Sequence, residues 1–176
     1  MLSDEEALRA QLGRPLRAES RPVKRCPLHL PIVIAVPPVL ENGEPFPTRY
    51  WLTCPLAHKR IARLEAAGGV KAYEARRKSD AEFSAALDRA HATYAEERDA
   101  LVHSDVAIKP RGGVAGVAGG VKCLHAHFAH AAAGGDNPIG VEVAAKIAPL
   151  ECQQPCVADV DGEVRRNPAW SEPKQG

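Results

Sequence analysis

Pro31-Ile32-Val33-Ile34-Ala35-Val36 is a β-branched run that reads as a buried strand, and Pro37-Pro38 ends it. Glu41-Asn42-Gly43-Glu44 is a turn signal, after which Thr48-Arg49-Tyr50-Trp51-Leu52-Thr53 reads as the returning strand of a hairpin. Pairing these strands antiparallel brings Cys54 to the same open end as the segment carrying Cys26. Helical periodicity fills most of the remaining chain. The expected fold is therefore α+β, with a β-hairpin over about residues 31–53 packed against four or five helices and a small hairpin at the C-terminal end.

Working outward, Ser3-Asp4-Glu5-Glu6 fits a capping box that opens a short helix with Leu8 and Leu12 inward, stopped by Gly13-Arg14-Pro15. Arg14, Arg17, Arg21, Lys24 and Arg25, with Arg9 just before them, make the next stretch a solvated basic linker or a basic lip over a site. Residues 1–24 are thus read as an N-terminal helix and basic linker, and residues 25–166 as a single Cys/His-rich domain. Cys54 directly precedes Pro55 and is read as the N-cap of a helix through Leu64, where the helix dipole would favour its thiolate. After Gly68-Gly69, one long helix or a pair of them runs from Val70 to about Leu101, with Phe83, Leu87, Ala90, Tyr94 and Leu101 near one stripe. Asn137-Pro138 caps a later helix, in which Val141, Ala144, Ala145 and Ala148 are read as inward. Val157–Val160, Asp161-Gly162 and Glu163–Arg165 form the small hairpin, and residues 167–176 are read as a disordered tail.

Among 176 residues, 45% are hydrophobic and 26% charged, which suits one globular domain. Lys+Arg 23 against Asp+Glu 22 leaves a net charge of +1, so neither nucleic acid nor an anionic membrane surface is expected as the main partner. No apolar run approaches the roughly 20 residues of a membrane span. Met1-Leu2-Ser3-Asp4-Glu5-Glu6 is acidic where a secretory signal would be basic. A cytoplasmic protein is expected. The odd count of 5 cysteines then favours metal or thiol chemistry over a disulfide framework.

That chemistry centres on Val121-Lys122-Cys123-Leu124-His125-Ala126-His127-Phe128-Ala129-His130, a thiol and three imidazoles in one short stretch. On a helix, at about 100° per residue, Cys123, His127 and His130 share a stripe while His125 points to nearly the opposite side. The expected metal ligands are four from Cys26, Cys54, Cys123, His127, Cys152 and Cys156, with His130 in reserve on the same stripe. His125 and Asp136 are the candidates for handling a proton. The loop before this helix, with Gly113, Gly116, Gly119 and Lys122, is read as a mobile connector or an anion cradle. His58 lies one turn after Cys54 and can join the site or stay exposed; His91 and His103 are read as surface or structural.

Several of these segments together resemble the bacterial domain of unknown function 501 family. The likeness is carried by Arg25-Cys26-Pro27, Phe46-Pro47-Thr48-Arg49-Tyr50-Trp51-Leu52-Thr53-Cys54-Pro55, Val121-Lys122-Cys123-Leu124-His125-Ala126-His127, Gly135-Asp136-Asn137-Pro138-Ile139-Gly140 and the Cys152…Cys156 pair. The resemblance implies a bacterial cytoplasmic protein and no particular activity.

Zinc is the first cofactor expected, because it accepts thiolate and imidazole donors tetrahedrally without strain. An iron–sulfur cluster or thiol redox chemistry is the alternative. A metal-assisted hydrolase and a noncatalytic interaction module stapled by a structural metal remain beside it, and the sequence singles out no substrate, partner or oligomeric state.

Overall fold

The computed structural model describes residues 2–174. Ser3 and Glu6 close the capping box: Glu6 N–H donates to Ser3 Oγ at 3.3 Å and Ser3 N–H to Glu6 Oε2 at 2.9 Å. They open α1 (Asp4–Leu12), and left-handed Gly13 ends it. Three strands follow, β1 (Arg21–Arg25), β2 (Pro31–Ala35) and β3 (Tyr50–Leu52), in the order β1-β2-β3. The hairpin of β2 and β3 is antiparallel, with Val33 opposite Leu52 and Ala35 opposite Tyr50.

The first correction lies at β1. The end of the basic stretch, Arg21–Arg25, is a strand paired antiparallel with β2 and not a solvated linker, with irregularities on both sides of Lys24. Its side chains show no alternation of burial, because an edge strand keeps charged side chains in water, and only the partner strand makes it β.

Every residue of β2 is buried, since both faces of the sheet are covered. Ile32, Val33 and Leu52 join the main core with Leu56, Ile61, Leu124, Phe128, Ile139 and Val143. Ile34 and Val36 pack instead with Leu8 of α1, against Phe46 and Trp51. A strand covered on two sides has no polar alternation, which is why it reads as a continuous apolar run.

The helices that carry the core are α2 (Pro55–Ala66), α3 (Gly69–Ser79), α4 (Ala81–Asp99), α5 (Leu124–Ala132) and α6 (Pro138–Ile147). The long periodic stretch divides at Asp80, whose carboxylate accepts the Phe83 N–H at 2.9 Å and caps α4. Asn137 caps α6 in the same way, accepting from Gly140 N–H at 2.9 Å. The inward face of α6 differs from expectation: Ile139, Val143 and Ile147 are buried, while Val141 is 60% exposed. The larger aliphatics at i, i+4 and i+8 set the helix phase, because they remove more apolar area from water than the alanines would.

The C-terminal hairpin, β4 (Val157–Val160) and β5 (Glu163–Arg166), is antiparallel and lies against α1. Of the segment read as a disordered tail, residues 175 and 176 lie outside the described residues, and residues 167–174 follow the hairpin back to α2. There Arg60 donates to Pro173 O at 3.0 Å, and Arg63 holds the Glu172 carboxylate with both terminal nitrogens.

α5 and α6 approach backbone to backbone. A Cβ on Gly140 would stand 2.2 Å from His127 O and 2.5 Å from Ala131 Cβ. Gly140→Ala should therefore lower stability by about 1–3 kcal/mol through overpacking. Urea denaturation checks this; an unchanged midpoint would mean the two helices part without cost.

Candidate metal centre

Cys123 is the N-cap of α5 and has extended backbone angles, φ −150° and ψ 117°. It therefore lies off the helical projection that would align it with His127 and His130. The expected stripe fails for this reason: one residue of difference at the helix start turns the thiol the other way. Cys123 Sγ lies 3.7 Å from His125 Nδ1, the imidazole that helical spacing placed opposite to it.

A third group comes from α2. Glu65 Oε1 accepts the Leu124 N–H at 2.6 Å, tying the end of α2 to the start of α5, and lies 3.3 Å from His125 Nδ1. One ligand atom each of Glu65, Cys123 and His125 lies within 4.8 Å of the others, and all three residues are partly exposed. The remaining ring nitrogen of His125, Nε2, is 3.1 Å from the His58 carbonyl. A carbonyl only accepts, so Nε2 carries a proton and donates it, and in the neutral ring the Nδ1 lone pair faces the thiol and carboxylate. Burial alone would lower this imidazole's pKa. The Cys123 thiol, the His58 carbonyl and the Glu65 carboxylate outweigh it, and the pKa is raised. The His58 ring lies 4.4 Å from the His125 ring, so His58 does come beside this cluster. Glu65 is the single acid of α2, and nothing in the residues around it marks it as a ligand. Only the packing of α2 against α5 gives it a role.

All five cysteines are free thiols. Four of them gather around the start of β2 rather than beside Cys123. Gln11 Nε2 donates to the Pro31 carbonyl at 3.0 Å and lies 3.5 Å from Cys156 Sγ. Thr53 Oγ1 donates to the same carbonyl at 3.2 Å, and Cys54 N–H donates to Ile32 O at 3.3 Å. Cys26 N–H donates to Leu30 O at 2.9 Å, just before that strand begins. Trp170 Nε1 donates to Cys152 Sγ at 3.4 Å. Cys54 is the N-cap of α2, as expected from Pro55, but its thiol is not activated. Burial pushes its pKa up to about 11 against the opposing backbone N–H groups of Ala57 and Leu56, with the Cys156 and Cys152 thiols adding to the rise. The desolvation of a buried thiolate exceeds what the helix N-terminus returns.

His127 and His130 lie in the core, both 0% exposed. Asn137 serves them together: its Nδ2 is 2.9 Å from His127 Nδ1 and 3.2 Å from His130 Nδ1, while its Oδ1 accepts from Gly140 N–H. The amide nitrogen donates, so both Nδ1 atoms accept and both rings carry their proton on Nε2, where neither has a partner among the described residues. His130 stacks on Tyr50 and meets Tyr94 edge-on. His91 fills a structural role, accepting Val114 N–H at Nδ1 and donating from Nε2 to Gly120 O. Asp136 is exposed, and its neighbour Asn137 is the residue that orients the imidazoles.

The glycine-rich loop contains a short 3-10 turn, Val114–Gly116, with Gly113 against His91. The N–H groups at its far end are engaged by protein carboxylates, Val121 by Glu74 and Leu124 by Glu65. Gly116 N–H is bonded to Gly113 O, Gly119 has open space around it, and Lys122 is exposed.

A family described as "Protein of unknown function (DUF501)" matches residues 22–145. The chain belongs to that family. No curated protein and no solved structure matches it. The stretch matched to the DUF501 family includes Glu65, Cys123 and His125 and ends before Cys152 and Cys156. Among the described residues, no helix is long and apolar enough to cross a membrane.

Two predictions follow from the buried groups. Cys54, with its pKa near 11 against an ordinary 9.0, should expose about 100-fold less thiolate at pH 8 than in the unfolded chain. Mass-spectrometric alkylation kinetics in buffer and in urea test this, and equal rates would contradict the burial argument. His127 has its pKa pushed down to about 4, first by burial and then by His91; burial lowers that of His130 as well. The unfolded chain takes up these protons near 6.5, so below that value it binds more protons than the folded chain and stability falls with pH. His127 alone contributes on the order of 3 kcal/mol between pH 6.5 and 4. A urea midpoint that does not move between pH 7 and pH 5 would show that the rings are not held neutral.

Proposed function

We propose that this DUF501 protein binds a transition metal ion, zinc first, through Glu65, Cys123 and His125. The observation that carries the reading is the approach of a carboxylate oxygen, a sulfur and an imidazole nitrogen to within 4.8 Å of one another. The donor set suits zinc, which takes sulfur, nitrogen and oxygen ligands. The orientation of His125 supports it further, because donation from the second ring nitrogen to a backbone carbonyl is the usual way a ligating imidazole is held.

Three protein donors at a partly exposed position favour an open site over a closed structural staple. Glu65, Cys123 and His125 would leave such an ion a position for water or a substrate oxygen, whose polarisation would favour metal-assisted hydrolysis as the reaction class. Glu65 also accepts from Leu124 N–H, so the same carboxylate that would bind the ion anchors the helix start.

A second reading places a metal among Cys26, Cys54, Cys152 and Cys156. It is favoured by the N–H donors directed at the sulfurs of Cys152 and Cys156 and by the mutual influence of the thiols around Cys54. Here the ion would be a staple between the N-terminal sheet and the C-terminal hairpin, or the thiols would carry iron.

Elemental analysis and absorption spectra of anaerobically purified protein separate the readings. We expect one zinc per chain, lost in Cys123→Ser and in His125→Ala with the circular dichroism unchanged, weakened in Glu65→Gln, and kept in Cys156→Ser. Full retention in both Cys123→Ser and His125→Ala would overturn the assignment, as would a wild-type protein that takes up neither zinc nor cobalt. Loss in Cys156→Ser alone would move the ion to the four thiols, and iron with visible charge-transfer bands would select the cluster.

A further inference from the structure

The chain has 2 tryptophans, and both wall one pocket of about 550 Å³ between α1, the start of α2 and the C-terminal hairpin. The ionisable side chains around it are unusual in sign. Arg14, His58, Lys59 and Arg166 line it with the Cys156 thiol, and among the described residues no carboxylate does. In a chain with a net charge of only +1, such a grouping is a local excess that the overall composition does not require.

Two of the cations are held in place by the rings. The Arg14 guanidinium carbon lies 4.9 Å from the Trp51 ring centroid, and Lys59 Nζ lies 5.0 Å from that of Trp170. The nearby acid, Glu172, is held by both terminal nitrogens of Arg63. Pro55, the first residue of α2, is also in the wall, so the positive end of a 12-residue helix adds to the field. The volume is within the range of small-molecule sites, where a mostly apolar wall with a few placed polar groups fixes the orientation of a ligand.

We propose that this pocket binds a nucleotide. Trp51 is covered by Phe46 and by Arg14, so a planar base would stack on the Arg14 guanidinium that extends this aromatic wall, as bases do on guanidinium planes, while a phosphate takes the Lys59 ammonium and the His58 ring in the same space. A ligand with only one of these features would leave half the wall unused. The basic lip considered for the segment around Arg14 is, in this reading, one edge of the pocket. The proposal goes beyond the metal reading and survives its failure, since none of Glu65, Cys123 and His125 lines the pocket. His58 is the link between the two places, with its ring beside His125 and also in the pocket wall.

The tryptophans are the reporters. Intrinsic fluorescence of chelator-stripped, full-length protein is titrated with adenosine monophosphate, adenosine and inorganic phosphate in parallel at low salt. The expected result is a saturable change with the monophosphate, with adenosine and phosphate each weaker by about tenfold or more, the worth of one charge-assisted contact or one stacked base. Arg14→Gln and Lys59→Gln should each weaken the monophosphate by about fivefold or more, and the affinity should fall as salt rises. Phosphate binding as tightly as the monophosphate would overturn the nucleotide and leave a plain anion site. Adenosine binding as tightly would overturn the role of the cations. No saturable change, or one that both substitutions leave intact, would overturn the pocket.

Discussion

A nine-residue helix that runs through the middle of the protein must find partners for three imidazoles, and much of the surrounding structure is arranged by that constraint. Two of the rings are buried completely, and a charged imidazole there would go without water. Asn137 resolves the difficulty by donating one amide nitrogen to both while its oxygen caps the next helix. The close approach of α6 at Gly140 is part of the same solution, because it brings the cap residue down onto the rings. The third ring, His125, remains near the surface and meets a thiol and a carboxylate instead. One short helix thus carries a buried polar pair on one side and a polar edge near the surface on the other.

The competition at Cys54 shows why position relative to a helix is not enough to assign reactivity. The N-terminal N–H groups of α2 do act on the sulfur, in the direction expected. The thiol is nevertheless 7% exposed, and removing water from an anion outweighs a few partial charges. At Cys123 the surroundings differ, with a partly exposed cysteine beside an imidazole that donates from its other nitrogen to the backbone.

Features set by contiguous residues were legible in the sequence. Ser3-Asp4-Glu5-Glu6, Cys54-Pro55, Asn137-Pro138 and Asp161-Gly162 each encode a cap or a turn within a few residues, and each is found where its signal stands. Features set by a distant partner were not. The basic stretch becomes β1 only through β2, Glu65 matters only because α2 meets α5, and α6 takes its phase from the core it covers. At the central stretch the residue types were informative, but the grouping depended on where the helix begins. Starting α5 at Leu124 instead of Cys123 separates the thiol from His127 and joins it to His125.

The bond between Gln11 and Cys156, and that between Arg166 and the Gln11 carbonyl, close loops of 145 and 155 residues. On the ribosome, at about 5–20 residues per second, the first helix would emerge roughly 7–30 seconds before the hairpin that covers it. A helix of 9 residues is marginal alone. During that interval its Ser3–Glu6 cap and the seat of Leu8 beside β2 are the interactions available to hold it. α1 is thus made well before the hairpin that finishes its burial.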